Sequence, residues 1–278
     1  MVIGVIGYGV VGRAVWKAFV NKTTILINDV EMPEKSSHIK TLCEQCSFIF
    51  ICVPTPMSTK TGNIDTRIVD KILETISKQP GNPVVILKST VIPSQLKYYQ
   101  ETYPDLRLVM SPEYLTDANP EEDFINAELL VLGGKDKDID EVEMLFKNYS
   151  DCRPCPVGKC DLIGAGVLKY MENCFLAMKV TFMNQFFDVL QQSGSKTTWN
   201  EIAQIFQLDS RMGHSHYMVP GPDGDRGWGG KCLPKDLNAI LNESKKLGYN
   251  LDLIEKIIEL NATIRKDKDW LRIKGATS

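Results

Sequence analysis

The chain has 278 residues, a length that predicts roughly two domains. Apolar residues make up 43% and charged residues 24%, ordinary globular usage that excludes a disordered or fibrous chain. The 32 Lys and Arg nearly balance the 35 Asp and Glu, for a net charge of -3 with no basic stripe, so a dedicated nucleic-acid binder is not expected.

The first half alternates short β-rich runs with helical stretches. Apolar runs fall at 2–6, 24–27, 48–53, 84–87, 107–110 and 129–132, with helix-length segments such as 13–21 and 66–78 between them. Near-continuous apolar strands separated by helices predict a parallel sheet covered on both faces. The expected fold class is α/β: a Rossmann-type, doubly wound, mostly parallel sheet over residues 1–158. Residues 159–278 are expected to form a mainly helical domain with one long central helix. From 161 to 192 there is no proline, and Leu168, Met171, Phe175, Met178, Phe182, Phe186 and Leu190 recur at helical spacing. Shorter helices are expected at 198–206, 234–246 and 251–273. The loop 220–230 interrupts them with five glycines and two prolines, a composition that points to function.

No apolar run is long enough to span a membrane. The start, Met1-Val2-Ile3-Gly4-Val5, lacks the basic region and cleavage site of a signal peptide, so a cytoplasmic location is expected. Eight cysteines are present. Cys43-x2-Cys46 and Cys152-x2-Cys155 have zinc-like spacing, but they lie about a hundred residues apart and His38 has no neighbouring histidine. Reduced thiols fit better, and no metal site is expected.

Gly7-Tyr8-Gly9-Val10-Val11-Gly12 follows the first expected strand and opens a helix, the context that gives a G-x-G-x-x-G series meaning. Gly7 permits the tight turn, and Gly9 lets the backbone approach a pyrophosphate that faces the amides of Val10 and Val11. Gly12 permits close packing of helix on strand. Asp29, at the end of the second strand, would accept hydrogen bonds from ribose hydroxyls and repel a 2′-phosphate, favouring NAD over NADP. A ligand-free glycine turn beside a surface acid is the plainer alternative.

The second glycine-rich segment reads Gly227-Trp228-Gly229-Gly230-Lys231-Cys232-Leu233-Pro234-Lys235-Asp236. Pro234 suits a helix's first turn, which places Cys232 at the helix start, where amides and dipole favour a thiolate. Asp236, four residues on, shares a helix face with it. Such a pair suits covalent catalysis at a carbonyl followed by base-assisted hydrolysis, although a buried structural cysteine is the simpler reading. On the long helix Lys169 and Asn173 point the same way, either as oxyanion-stabilising donors or as a solvated face.

Six segments in order carry a resemblance: Gly7–Gly12, Cys52-Val53-Pro54-Thr55-Pro56, Lys88-Ser89-Thr90-Val91, Ser111-Pro112-Glu113-Tyr114-Leu115, Lys169 to Asn173, and Gly229 to Asp236. The series resembles the UDP-glucose/GDP-mannose dehydrogenase family. The resemblance implies NAD as cofactor and a four-electron oxidation of a nucleotide-sugar C6 alcohol to the carboxylate, with UDP-glucose the leading substrate. In that family's pattern Cys232 matches the nucleophile, and Lys169 and Asn173 match the groups that stabilise oxyanionic intermediates. Asp236 matches the acid that orients water, with Glu113 and Thr90 in the hydrolytic network and Lys235 positioning neighbours. Thr55 and Thr90 would cover the dinucleotide. Tyr114, Leu115, Arg211 and Gly229 would line the sugar site, and Lys179 would approach the diphosphate. A homodimer through the apolar long helix is also implied.

The chain departs from the family where a third, nucleotide-binding α/β domain would begin after 251–273. It is read as either a short natural form or a truncated one. The loop 220–227 is longer than usual, Lys231 replaces a small residue, and an arginine often found before 128–132 is missing. A dehydrogenase for another UDP- or GDP-sugar, a two-electron β-hydroxyacid dehydrogenase and a non-catalytic NAD-binding protein remain as alternatives.

Overall fold

In the computed structural model, which describes residues 1–116 and 118–278, the first half of the chain builds a sheet edge by edge. β1 (Val2–Ile6), α1 (Val10–Phe19), β2 (Thr24–Asn28), α2 (Ile39–Gln45), β3 (Phe48–Ile51) and α3 (Arg67–Ser77) come first. β4 (Val84–Leu87), α4 (Pro93–Thr102), β5 (Arg107–Met110), α5 (Pro120–Ile125), β6 (Leu130–Gly133), α6 (Asp136–Tyr149) and β7 (Val157–Cys160) follow. Among the described residues the sheet has seven strands in the order β2-β1-β3-β4-β5-β6-β7. β5 and β6 pair antiparallel, Met110 opposite Gly133, and the other neighbours pair parallel.

The strands are apolar on both faces because each face meets helices. Ile49 and Ile51 join Leu42, Val69, Leu73 and Leu96 on one side. Phe48 and Phe50 join Val15, Phe19, Val142 and Phe146 on the other. There the Phe19 ring centroid lies 5.4 Å from that of Phe50 and 5.3 Å from that of Phe146. Alternation along each strand thus feeds two cores at once.

α7 (Leu162–Gln192) then runs 31 residues, about 46 Å at 1.5 Å per residue. α8 (Trp199–Phe206) starts in a capping box: Thr198 Oγ1 accepts from the Glu201 amide while the Glu201 carboxylate accepts from the Thr198 amide. α9 (Leu233–Lys246) and α10 (Asp252–Ile264) complete the helices. Trp228, 5% exposed, is driven into an apolar cluster with Cys174, Ala177, Leu237 and Ile257.

The chain divides into two compact units. One holds Met1–Thr55 and Asp65–Lys169, and the other Pro56–Ile64 and Tyr170–Ser278. The expected boundary at residues 158/159 falls inside β7. Two local expectations need correction. The strand Val157–Cys160 escaped notice because Gly158 and Lys159 break its apolar run. The helix expected over 251–273 stops at Ile264, where Arg265 turns extended (φ -90°, ψ 115°) and sends its side chain into a cluster of aspartates. No helix among the described residues is long and apolar enough to cross a membrane.

Candidate active site

In the first unit, the order β2-β1-β3 makes the end of β1 the point where the sheet's winding reverses, the place where such sheets bind dinucleotides. The three glycines there do different work. Gly7 has φ +88°, and a Cβ on it would sit 2.8 Å from the Cys52 carbonyl oxygen. A Cβ on Gly12 would lie 2.0 Å from the Gly7 carbonyl oxygen, so α1 can pack on the turn only without a side chain. Around Gly9 nothing lies within 4 Å of that position. Gly9 is the N-cap of α1, so this open cradle meets the amides of Val10 and Val11, and it fits a pyrophosphate. Asp29 accepts hydrogen bonds from the amides of Tyr8, at 2.5 Å, and Glu31, at 2.7 Å, and so is anchored beside the glycine turn. Thr55 (6% exposed) and Thr90 (9%) follow the neighbouring strands β3 and β4.

Farther along the same edge, Ser111 to Leu115 are held from two sides. Lys88, 4% exposed, donates to Ser111 Oγ at 3.2 Å and the Pro112 carbonyl at 3.5 Å, and stands 5.1 Å over the Phe124 ring. Burial pulls its amine down to about 8, opposed by the nearby Cys52, Glu113 and Cys152 and assisted by Lys169. Lys169 donates to the Glu113 carbonyl, lies 3.5 Å from the Glu113 carboxylate and 5.0 Å from the Tyr114 ring centroid. Glu113 Oε2 in turn accepts from the Leu115 amide at 2.8 Å. The structure therefore brings Glu113, Tyr114, Leu115 and Lys169 together.

In the second unit Cys232 is the N-cap of α9, with Pro234 in the first turn. Asp236 is fully buried, and its amide donates to the Cys232 carbonyl at 2.9 Å, closing the first turn. Its two carboxylate oxygens are taken by different partners: Asn173 Nδ2 donates to one at 2.5 Å, and Lys235 Nζ to the other. Each oxygen keeps a second lone pair. Burial, then the Asp236 charge, push the Cys174 thiol up to about 12. Burial also pushes Cys52 to about 12. Neither is a nucleophile at neutral pH.

Other expected residues have local partners of their own. Arg211 is exposed and ion-paired with Asp209 two residues away. Lys179 donates to the Met212 carbonyl at 2.7 Å, at the end of the same turn, and burial lowers its basicity. Gly229 is backed by this chain itself: a Cβ there would sit 2.3 Å from Asp269 Oδ1 and 2.5 Å from Arg265 Cζ. Its lack of a side chain makes room for this internal contact. Asn261, Arg265 and Asp269, which hold this loop, escaped sequence reasoning. Their signal was a polar spacing of four that starts in the last turn of α10 and runs on past its end. Among the described residues no group of three His, Cys, Asp or Glu is gathered to hold a metal ion.

The open glycine cradle at the sheet's switch point places the chain in the class of dinucleotide-binding α/β proteins, and a helical unit with a buried carboxylate one turn after a helix-capping cysteine follows it. Residues 25–150 match the NAD binding domain of the UDP-glucose/GDP-mannose dehydrogenase family, and residues 164–263 match that family's central domain. The chain belongs to the UDP-glucose/GDP-mannose dehydrogenase family, and its first unit carries the NAD-binding domain. It is 33% identical over 222 residues to UDP-glucose 6-dehydrogenase TuaD of Bacillus subtilis, covering 77% of this chain and 46% of the relative. The chain spans about half the length of the curated relatives it matches. Among solved structures it shares its fold with a UDP-glucose dehydrogenase from Pyrobaculum islandicum (TM-score 0.78, 22% identity, 94% of this chain and 68% of that one). It also shares it with the 3-hydroxyisobutyrate dehydrogenase of Mycobacterium tuberculosis (TM-score 0.73, 13% identity, 96% and 94%).

Proposed function

We propose that this chain carries out the NAD-dependent four-electron oxidation of the C6 alcohol of a nucleotide sugar, UDP-glucose to UDP-glucuronate. The observation that carries the reading is the Cys232–Asp236 helical turn, its carboxylate held by Asn173 and Lys235. NAD, when bound, supplies the hydride acceptor for each of two oxidations. Residues 1–158 would hold the dinucleotide through Gly7, Gly9, Val10, Val11, Gly12, Asp29, Thr55 and Thr90. Residues 159–278 would supply the nucleophile.

In the proposed sequence, loss of hydride from C6 and of the hydroxyl proton gives an aldehyde. The Cys232 thiolate adds to it, and the resulting alkoxide is stabilised by Lys169 and Asn173. Loss of a second hydride leaves a thioester on Cys232. Water, oriented by Asp236 with Glu113 and Thr90, hydrolyses it to carboxylate and thiol. Tyr114, Leu115, Arg211 and Gly229 are the proposed sugar-site residues. Two chains would pair through the exposed apolar positions of α7, in a reducing cytoplasmic setting.

The test is stoichiometry with purified chain. Two NADH per UDP-glucose support the reading, and Cys232→Ser should end complete turnover. One NADH per sugar with the cysteine intact would instead favour a two-electron dehydrogenase.

A further inference from the structure

Four backbone polar groups in the segment leading to Cys232 are held by side chains distant in sequence. The Gly227 amide donates to Asn184 Oδ1 at 3.3 Å. The Trp228 amide donates to Asn261 Oδ1 at 2.9 Å, and its carbonyl accepts from Asn261 Nδ2 at 2.8 Å. The Gly230 amide donates to Asp269 Oδ2 at 3.0 Å. Glycine is needed because these partners come so close: a Cβ on Gly227 would lie 2.4 Å from Asn261 Oδ1.

At the centre is Arg265, whose side chain is only 2% exposed. Its Nε donates to the Asp267 carbonyl at 2.9 Å. One terminal nitrogen pairs with Asp223 at 2.8 Å, and the other lies 3.1 Å from Asp269 and 3.7 Å from Asp225. The guanidinium also backs Gly229. A planar fork of fixed donors can meet these partners and still lie flat against a glycine, whereas an ammonium cannot. Asp223 and Asp225 belong to the long loop 220–227. Their side chains are about half exposed, so the hub is anchored on its solvent side by residues outside the core. The apolar positions Ile254, Ile257 and Ile258 seat α10 independently of it.

We propose that Arg265 is a positioning residue for the cysteine segment: held by Asp223 and Asp225, it fixes Asp269 on the Gly230 amide and so sets how Cys232 is presented at the start of α9. The inference rests on the proposed role of Cys232 as nucleophile, and it is specific to the loop 220–227.

The test uses the full chain with Arg265→Lys and, separately, Asp223→Asn. Iodoacetamide labelling of Cys232 at one fixed pH is followed by peptide mass spectrometry, alongside kcat and KM. Cys232 is partly exposed and stands at the N-cap of α9, so loosening the segment that sets its place at the helix start weakens the dipole that favours its thiolate and lowers its reactivity. Arg265→Lys is expected to label at least about threefold more slowly and to lower kcat about tenfold, with KM for NAD unchanged. Asp223→Asn should move both in the same sense by less. A purely structural role would reduce the folded fraction without altering labelling or kcat per folded molecule. A folded Arg265→Lys protein that labels at the wild-type rate or faster overturns the proposal. If that variant does not fold, an unchanged labelling rate in Asp223→Asn overturns it equally. If Cys232→Ser still yields two NADH per sugar, the proposed function fails, while the labelling rates still judge the clamp.

Discussion

Asn173 Nδ2 lies 2.5 Å from Asp236 Oδ2, a buried hydrogen bond that ties α7 to the first turn after Cys232. The amide fits because it donates, and a carboxylate in its place would face another carboxylate in a buried site. Asn173→Asp is therefore expected to lower kcat by at least about a hundredfold, the scale seen on losing one oxyanion donor, and to raise the pKa of one member of the new acid pair. Steady-state rates with UDP-glucose check this, and a rate within threefold of wild type would contradict it.

The glycines of the first turn make separable predictions. Gly9 has φ -74° and open space around it, so Gly9→Ala should fold with unchanged thermal stability. It should nevertheless lose about tenfold or more in NAD affinity, because the methyl group occupies the pyrophosphate's approach. Gly12→Ala puts its methyl group against the Gly7 carbonyl and should destabilise the fold by about 1–3 kcal/mol, as overpacking does. Calorimetry with NADH fluorescence titration separates the two outcomes. Equal stability losses would refute the distinction.

Lys88 gives the stability a pH signature. Its amine is held near 8 in the folded chain, against an ordinary value of 10.5. Below about pH 8 it is charged in both states, and the folded chain bears the cost of a buried cation. Between about pH 8 and 10.5 the folded state releases the proton while the unfolded state keeps it, so this group's contribution to stability rises with pH, by up to about 3 kcal/mol. Buried thiols such as Cys52 act oppositely above their ordinary range, so the comparison is with Lys88→Met. Wild type minus variant should move in wild type's favour across that window in urea unfolding. A flat difference would show that Lys88 is not the group titrating.

On α7, Met171, Phe175, Phe186 and Val189 are each more than half exposed in the single chain. Large apolar side chains at helical spacing need cover. Phe175→Asp combined with Phe186→Asp should turn the proposed dimer into monomers in sedimentation velocity without lowering helix content. Wild type that already sediments as a monomer would refute the pairing.

Much of this was readable from residues that act locally. Phe48 to Ile51 and Val84 to Leu87 are apolar at every position, which only a strand covered on both faces demands. Gly7, Gly9 and Gly12 sit at fixed offsets from a strand end, and Pro234 marks a helix start. What stayed hidden depends on distant partners. Val157–Cys160 is a strand because it pairs with β6, not because Gly158 and Lys159 favour one. Arg265 has good helix propensity, yet the helix ends before it because Asp223 and Asp225, some forty residues earlier in the chain, hold its side chain elsewhere. Lys88 stood in a recognisable motif, but its closeness to Ser111 and Phe124 follows from the sheet order alone.

The stretch Pro56–Ile64 leaves the sheet after β3 and belongs with the helical unit, where the Met57 amide donates to the Ala276 carbonyl and the Met57 carbonyl accepts from the Ser278 amide. Asn242 Nδ2 likewise donates to the Thr61 carbonyl at 2.9 Å. The polypeptide thus passes from one unit to the other three times rather than once. Cutting the gene at the long helix would not yield two self-sufficient pieces: a fragment beginning at Tyr170 would lack nine residues that its own last turn grips, and the complementary fragment would carry them as an unmoored loop.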